Sequence, residues 1–308
     1  MLATENKIDI NDIIYPMFVK QGINGSEEIS SMPGIFRFSL EALVDEIREL
    51  ERLGIKKVLL FGIPDKKDWI GSYAQKDTSI VCEAVKAIKA NISTVKIMTD
   101  ICLCAYTTHG HCGIIQKGHD KIEKQETLES LALMALSHAK AGADYVAPSA
   151  MAAGQVMAIK KALEDNGFGE TGIMGYSAKF ASNFYGPFRE AADSAPKFGN
   201  RSSYQLGVDQ KEVALDKIKQ DIEQGADIVM VKPALGYLDI IKEAKDQINV
   251  PLAVYNVSGE YSMVKQGVQS GFWKERDMVF EIMNSFKRAG ADHVISYHAK
   301  DIAKWMER

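Results

Sequence analysis

The sequence predicts an α/β fold, a (β/α)8 barrel with a short N-terminal extension. Three observations carry that expectation. Eight short apolar or β-branched runs recur along the 308 residues, separated by stretches of helical length, the pattern of βαβ units and a parallel sheet. Several helical stretches end in glycine just before the next run, at Gly54, Gly142, Gly225 and Gly290, as helix-stop glycines do. Three of these junctions share one wording, Ala/Gln-Gly-Ala-Asp, at Ala141–Asp144, Gln224–Asp227 and Ala289–Asp292. An open doubly wound sheet is the rival, but no Gly-x-Gly-x-x-Gly follows the first run to support a dinucleotide fold.

In chain order the expected strands are Ile13–Val19, Lys57–Gly62, Lys96–Cys102, Tyr145–Ala147, Ile173–Ser177, Ile228–Val231, Pro251–Tyr255 and His293–Ser296. Helices fill the gaps, among them Leu40–Leu53, Gln125–Ala141, Lys211–Gln224 and Arg276–Ala289. One domain over 1–308 is expected, with a short arm over 1–11. Catalytic groups of such barrels sit at the C-terminal ends of the strands. The conspicuous residues fall there: Cys102 and Cys104 after the third strand, Lys179 after the fifth, Lys232 after the sixth, Ser258 after the seventh and Tyr297 after the eighth.

Composition narrows the function. The chain is 46% hydrophobic and 25% charged, with 37 basic and 41 acidic residues for a net charge of −4. That balance argues against nucleic acid, which needs a concentrated basic face. No apolar run is long enough to span a membrane, and Met1 to Asp9 has no apolar signal core, so the cytoplasm is the expected compartment. Of four cysteines, three crowd into Cys102–Cys112. In a reducing compartment that reads as metal or catalysis before disulfide.

The segment is Asp100-Ile-Cys102-Leu-Cys104-Ala-Tyr-Thr-Thr-His109-Gly-His111-Cys112. Three thiols suit zinc and leave a fourth position open, as catalytic sites do. His109 and His111 are further possible ligands, and a buried cysteine cluster or a structural site is the plainer alternative. Cys82 stands apart and reads as core. Lys179 and Lys232 each follow an apolar run. An ordinary lysine has a pKa of ~10.4, and burial or a nearby cation frees its amine for Schiff-base chemistry. A lone lysine there would more simply snorkel or pair with a carboxylate. Two on neighbouring strands beside a thiol cluster favour chemistry. The stretch from Phe184 to Gln205 reads as a loop too long for a mere connector. Its Arg189 and Arg201 suit a bidentate carboxylate clamp, or else a lid held by salt bridges.

The chain resembles the porphobilinogen synthase (5-aminolevulinate dehydratase) family. The resemblance rests on Ser31–Gly34, Leu60–Pro64 with Lys67 and Asp68, the cysteine segment, Tyr176–Ser182, Tyr185–Ala191, Met230–Pro233 and Val257–Tyr261. It implies a TIM barrel that condenses two 5-aminolevulinate molecules into porphobilinogen, with loss of two waters, for tetrapyrrole (heme) synthesis. By the same resemblance, Lys232 forms the Schiff base with the first substrate and Lys179 with the second. Arg189, Arg201 and Gln205 hold the second substrate's carboxylate, and Ser258 with Tyr297 the first's. Cys102, Cys104 and Cys112 bind a catalytic Zn2+, and Asp100 is placed to shuttle protons.

Three departures stand out. Many relatives carry a basic arm that helps build a homo-octamer, and almost none precedes Ile8, which puts the octamer in question. Ala153 stands where the family often has aspartate. Lys217 stands where some bacterial relatives bind an allosteric Mg2+ through glutamate, so no such Mg2+ is expected. The competing classes are a class I aldolase, with one reactive lysine and no zinc, and a zinc-binding relative without chemistry. The paired lysines argue against both.

Overall fold

The eight expected runs form a closed barrel of eight parallel strands in the computed structural model, which describes residues 7–116 and 121–307. They are β1 (Ile13–Lys20), β2 (Lys57–Ile63), β3 (Lys96–Ile101), β4 (Tyr145–Pro148), β5 (Gly172–Lys179), β6 (Ile228–Lys232), β7 (Leu252–Asn256) and β8 (His293–Ser296). Each pairs parallel with the next. β8 returns to β1 through Ile13↔Val294 and Ile14↔Ile295, so the barrel has no free edge.

The strands read as nearly continuous apolar runs because both of their faces are buried. Alternate residues serve two layers. Ile14, Phe18, Leu59, Met174, Met230 and Ile295 pack inside the barrel. Ile13, Met17, Leu60, Ile173, Val229 and Val294 face the helical shell. The helices start where the sequence supplies caps: the Ser39 hydroxyl accepts the Ala42 N–H at 3.3 Å and the Ser79 hydroxyl the Cys82 N–H at 3.4 Å.

The three Gly-Ala-Asp junctions share one function at the N-terminal end of the barrel. Asp144, Asp227 and Asp292 each donate a backbone N–H to the start of the preceding strand, at the carbonyls of Ile97, Ile173 and Leu252 (2.9, 2.9 and 2.8 Å). Each carboxylate then accepts the N–H of that same residue, at 2.8, 2.7 and 2.7 Å. These reciprocal clasps join β3 to β4, β5 to β6 and β7 to β8. They lie at the end of the barrel where sequence constraint serves stability.

The structure adds elements the pattern did not show. An antiparallel hairpin, Ser26–Glu28 with Phe36–Phe38, attaches to β1; strands of three residues carry no readable period. The expected long loop after β5 contains a short helix, Gly186–Ala191. Lys179 and Lys232 are the last residues of β5 and β6 rather than residues beyond them. Among the described residues no helix is long and apolar enough to cross a membrane.

Replacing Asp227 with alanine leaves the Ile173 N–H without its acceptor, which costs ~1–3 kcal/mol. Urea denaturation should show that loss, with the catalytic constants of the folded protein unchanged. An unaltered midpoint would show that the clasp does not hold the strands.

Candidate active site

Lys179 and Lys232 lie opposite each other because the β5 stretch Gly175–Ala178 carries one more residue than the β6 stretch Val229–Val231 that it faces. The register runs Gly175↔Val229, slips, and resumes at Ala178↔Val231 and Lys179↔Lys232. Bulges of this kind re-aim side chains next to active sites. Both lysines are 5% exposed.

Lys232 stands in an aromatic enclosure, its Nζ 4.0 Å from the Tyr255 ring centroid and 5.1, 5.2 and 5.1 Å from those of Tyr176, Tyr185 and Phe188. Burial, then the neighbouring Lys179 ammonium, holds its pKa well below the ordinary lysine value. Lys179 donates from Nζ to the Ser149 carbonyl at 2.6 Å and faces the same Tyr176 ring at 5.5 Å. Asp100 completes the group. Burial pushes its carboxyl up to about 6, against the pull of Lys179, a Ser149 hydrogen bond and Lys232. Sequence reasoning missed Ser149 and the aromatics. Their local signal was an aromatic residue in the interior-facing register of two strand ends.

Cys102, Cys104 and Cys112 converge, their sulfurs all within 4.8 Å of one another and all buried. Hydrogen bonds from Cys102 and Cys104 hold the Cys112 thiol well below its usual pKa. The three form a buried triad able to hold a metal ion. His109 and His111 do not join it. The His109 ring lies 3.0 Å from the Trp69 carbonyl and accepts the His111 N–H. The His111 ring contacts the Phe198 carbonyl at 3.0 Å and the Tyr204 hydroxyl at 3.2 Å. Both tie the cysteine loop into its surroundings. At Gly110, φ is +73°, and a Cβ would sit 2.3 Å from the Ala195 carbonyl oxygen, so the two loops meet backbone to backbone. Cys82 is a core residue beside Ser137. A second cluster, Glu275, His298 and Asp301, already surrounds the Lys265 ammonium, which bonds to Glu275 and lies 3.2 Å from Asp301.

The segment after β5 folds over the triad. Arg37 donates to the Glu190 and Ala191 carbonyls, both at 2.8 Å, and Lys67 pairs with Asp193 at 2.5 Å. Ser258 anchors the other side: its hydroxyl accepts the Phe188 N–H at 3.0 Å and donates to the Phe184 carbonyl at 3.2 Å. Arg201 is buried and donates to the Gly110 and Ser194 carbonyls at 3.0 and 2.6 Å. The Tyr297 hydroxyl lies 3.2 Å from that of Tyr255. Buried polar atoms without a partner among the described residues gather here: Asp100 Oδ1, the Tyr176 hydroxyl, Nε of Arg189 and Arg201, and both amide atoms of Gln205. Beside Cys112 a cavity of about 570 Å³ is lined by both Ala153 and Lys217.

Comparison with known proteins gives the same picture. The family model described as Delta-aminolevulinic acid dehydratase matches residues 1–305. The delta-aminolevulinic acid dehydratase of Bacillus subtilis (strain 168) is 48% identical over 305 residues, covering 99% of this chain and 94% of that protein. The same-named protein of Methanothermus sociabilis is 50% identical over 303 residues, covering 98% and 93%. The crystal structure of delta-aminolevulinic acid dehydratase (porphobilinogen synthase) from Toxoplasma gondii ME49, in complex with the reaction product porphobilinogen, matches with a TM-score of 0.97. It is 38% identical and covers 99% of this chain and 87% of that one. Sequence and fold agree over nearly the full length, and this chain therefore belongs to the delta-aminolevulinic acid dehydratase family.

Proposed function

We infer that this chain condenses two molecules of 5-aminolevulinate into porphobilinogen, a hydro-lyase reaction that supplies tetrapyrrole and heme synthesis. The observation that carries this reading is the pair of buried lysines in register beside the thiol triad.

Lys232 takes the first substrate and Lys179 the second, each attacking a ketone carbon and releasing one water as its imine forms. The protonated imine draws electrons, which activates its carbon as an electrophile and stabilises the neighbouring carbanion. Closing the carbon–carbon and carbon–nitrogen bonds expels the two lysines as free amines, so the two waters lost are those of imine formation. The aromatic walls around Lys232 exclude water from its imine. Asp100, its carboxyl raised to about 6 by burial and under the charge of both lysines, moves protons at them. Arg189, Arg201 and Gln205 hold the second substrate's carboxylate, for which their unpartnered atoms are suited. Ser258 and Tyr297 hold the first substrate's carboxylate, and Ser258 must give up its bond to Phe184 to do so.

The Cys102–Cys104–Cys112 set fits Zn2+ in donor type and number, with a fourth position for substrate. Bound there, Zn2+ supplies Lewis acidity toward the second substrate. No Mg2+ regulates the enzyme through residue 217, because an ammonium group repels the cation and offers no oxygen ligand. The protein works as one domain over 1–308, as a homo-oligomer in the cytoplasm.

Chelation should abolish pyrrole formation. Zinc should restore it, and millimolar magnesium should add nothing to zinc-replete enzyme. Full activity in metal-stripped protein, or full zinc occupancy in a Cys104→Ala/Cys112→Ala double variant, would refute the assignment.

Borohydride added to enzyme and 5-aminolevulinate should fix substrate chiefly on Lys232. Lys232→Ala and Lys179→Ala should each lower turnover by orders of magnitude without unfolding the chain. Because the folded Lys232 pKa is depressed, its neutral fraction rises with pH through a midpoint well below the ~10.4 of a free lysine. Trapping should follow that curve. Capture on another lysine, or a midpoint near 10, counts against the mechanism.

A further inference from the structure

Glu260 is fully buried in the helix Ser258–Gln269 and makes no ion pair among the described residues. Its carboxylate accepts from three N–H groups instead. Oε1 takes the Leu235 N–H at 2.8 Å; Oε2 takes the Val257 N–H at 2.8 Å and an Asn256 Nδ2–H at 3.1 Å. The chain of bonds continues to the next strand. The Ser296 hydroxyl donates to Asn256 Oδ1 at 2.9 Å and accepts the His298 N–H at 3.2 Å. Asn256, Ser296 and His298 are all fully buried.

This chain crosses the ends of β6, β7 and β8, and each link lies beside a group assigned to the first substrate. Leu235 is three residues beyond Lys232. Val257 precedes Ser258. Ser296 and His298 flank Tyr297. The donors all point inward, so an acceptor-only carboxylate fits where an amide would present its own N–H groups. Burial raises the Glu260 pKa to about 7 while these N–H bonds draw it back down, because bonds to an ionised acceptor are the shorter and stronger ones.

We propose that Glu260 is a positioning residue for the first substrate: holding the Leu235 and Val257 N–H groups directly and reaching β8 through Asn256 and Ser296, it fixes Lys232, Ser258 and Tyr297 relative to one another without touching substrate. The proposal rests on the assignment of those three residues to the first 5-aminolevulinate. It adds a reason for the acid in the Val257–Tyr261 motif, which no contact with substrate supplies.

The test compares wild-type, Glu260→Gln and Ser296→Ala holoenzymes in borohydride trapping with 5-aminolevulinate, steady-state kinetics, zinc content and melting temperature. Glu260→Gln should trap on the order of a hundredfold more slowly at Lys232, since misplacement by about 1 Å costs that much. Zinc content should stay at the wild-type level. Ser296→Ala should lower kcat/KM about tenfold, chiefly through KM. Wild-type trapping and kcat/KM in a folded Glu260→Gln would overturn the proposal. If Glu260→Gln does not fold, Ser296→Ala decides: an unchanged kcat/KM overturns the proposal, and a KM-dominated loss at full zinc content supports it. Failure of the wild-type protein itself to form the pyrrole or to trap at Lys232 would instead sink the proposed function.

Discussion

The one-residue slip between β5 and β6 is the constraint on which the site depends. It sets Lys179 opposite Lys232 with both side chains buried. Two ammonium groups so placed would cost several kcal/mol each in desolvation, against a stability of about 5–15 kcal/mol for a whole domain. The cheaper state leaves an amine neutral. Burial lowers the pKa of Lys232, ringed by Tyr176, Tyr185, Phe188 and Tyr255, and Lys179 donates to the Ser149 carbonyl. A neutral amine is what imine formation requires, so the unfavourable pairing suits the reaction proposed for it.

Such a site needs a scaffold that can carry it, and the barrel divides the work between its two ends. The N-terminal end is bound by the Asp144, Asp227 and Asp292 clasps, where N–H and carboxylate satisfy each other. At the C-terminal end, Asp100, Tyr176, Arg189, Arg201 and Gln205 hold buried polar atoms without partners among the described residues. Each such atom costs ~1–3 kcal/mol. A fold tolerates several together only where its remaining contacts are secure, and it gains donors and acceptors already aimed at a polar ligand.

The parts legible in the sequence were those written locally. The eight strands appeared because burial on both faces makes a strand apolar throughout, and Lys179, Lys232 and the three cysteines appeared because they interrupt or follow such runs. The slip in β5 left no trace, since register is set by the partner strand. The aromatic enclosure draws on three separate segments and emerges only when the barrel closes. His109 and His111 misled because proximity in sequence does not fix where a ring points: their nitrogens engage Trp69, Phe198 and Tyr204. Ser258 was found by its position, but its two bonds to the segment over the triad were not foreseeable from a single serine.

Arg201 shows how the two halves of the site depend on each other. A guanidinium buried without a carboxylate is normally too costly to keep. Two backbone carbonyls take the protons of one nitrogen, and burial works against the charge, yet the nearby sulfurs of Cys112 and Cys104 outweigh it and raise the Arg201 pKa. Arg201 in turn favours the Cys112 thiolate. The cysteine loop and the segment after β5 are therefore joined by charge as well as by the close backbone contact at Gly110. The neighbouring thiols and burial push Cys102 and Cys104 up, so it is the Cys112 thiol, held well below its usual value, that lies beside the buried guanidinium as its counter-charge. Removing the Cys112 thiol would leave that guanidinium buried without its main compensating charge, so Arg201 and the cysteine loop stand as one electrostatic unit.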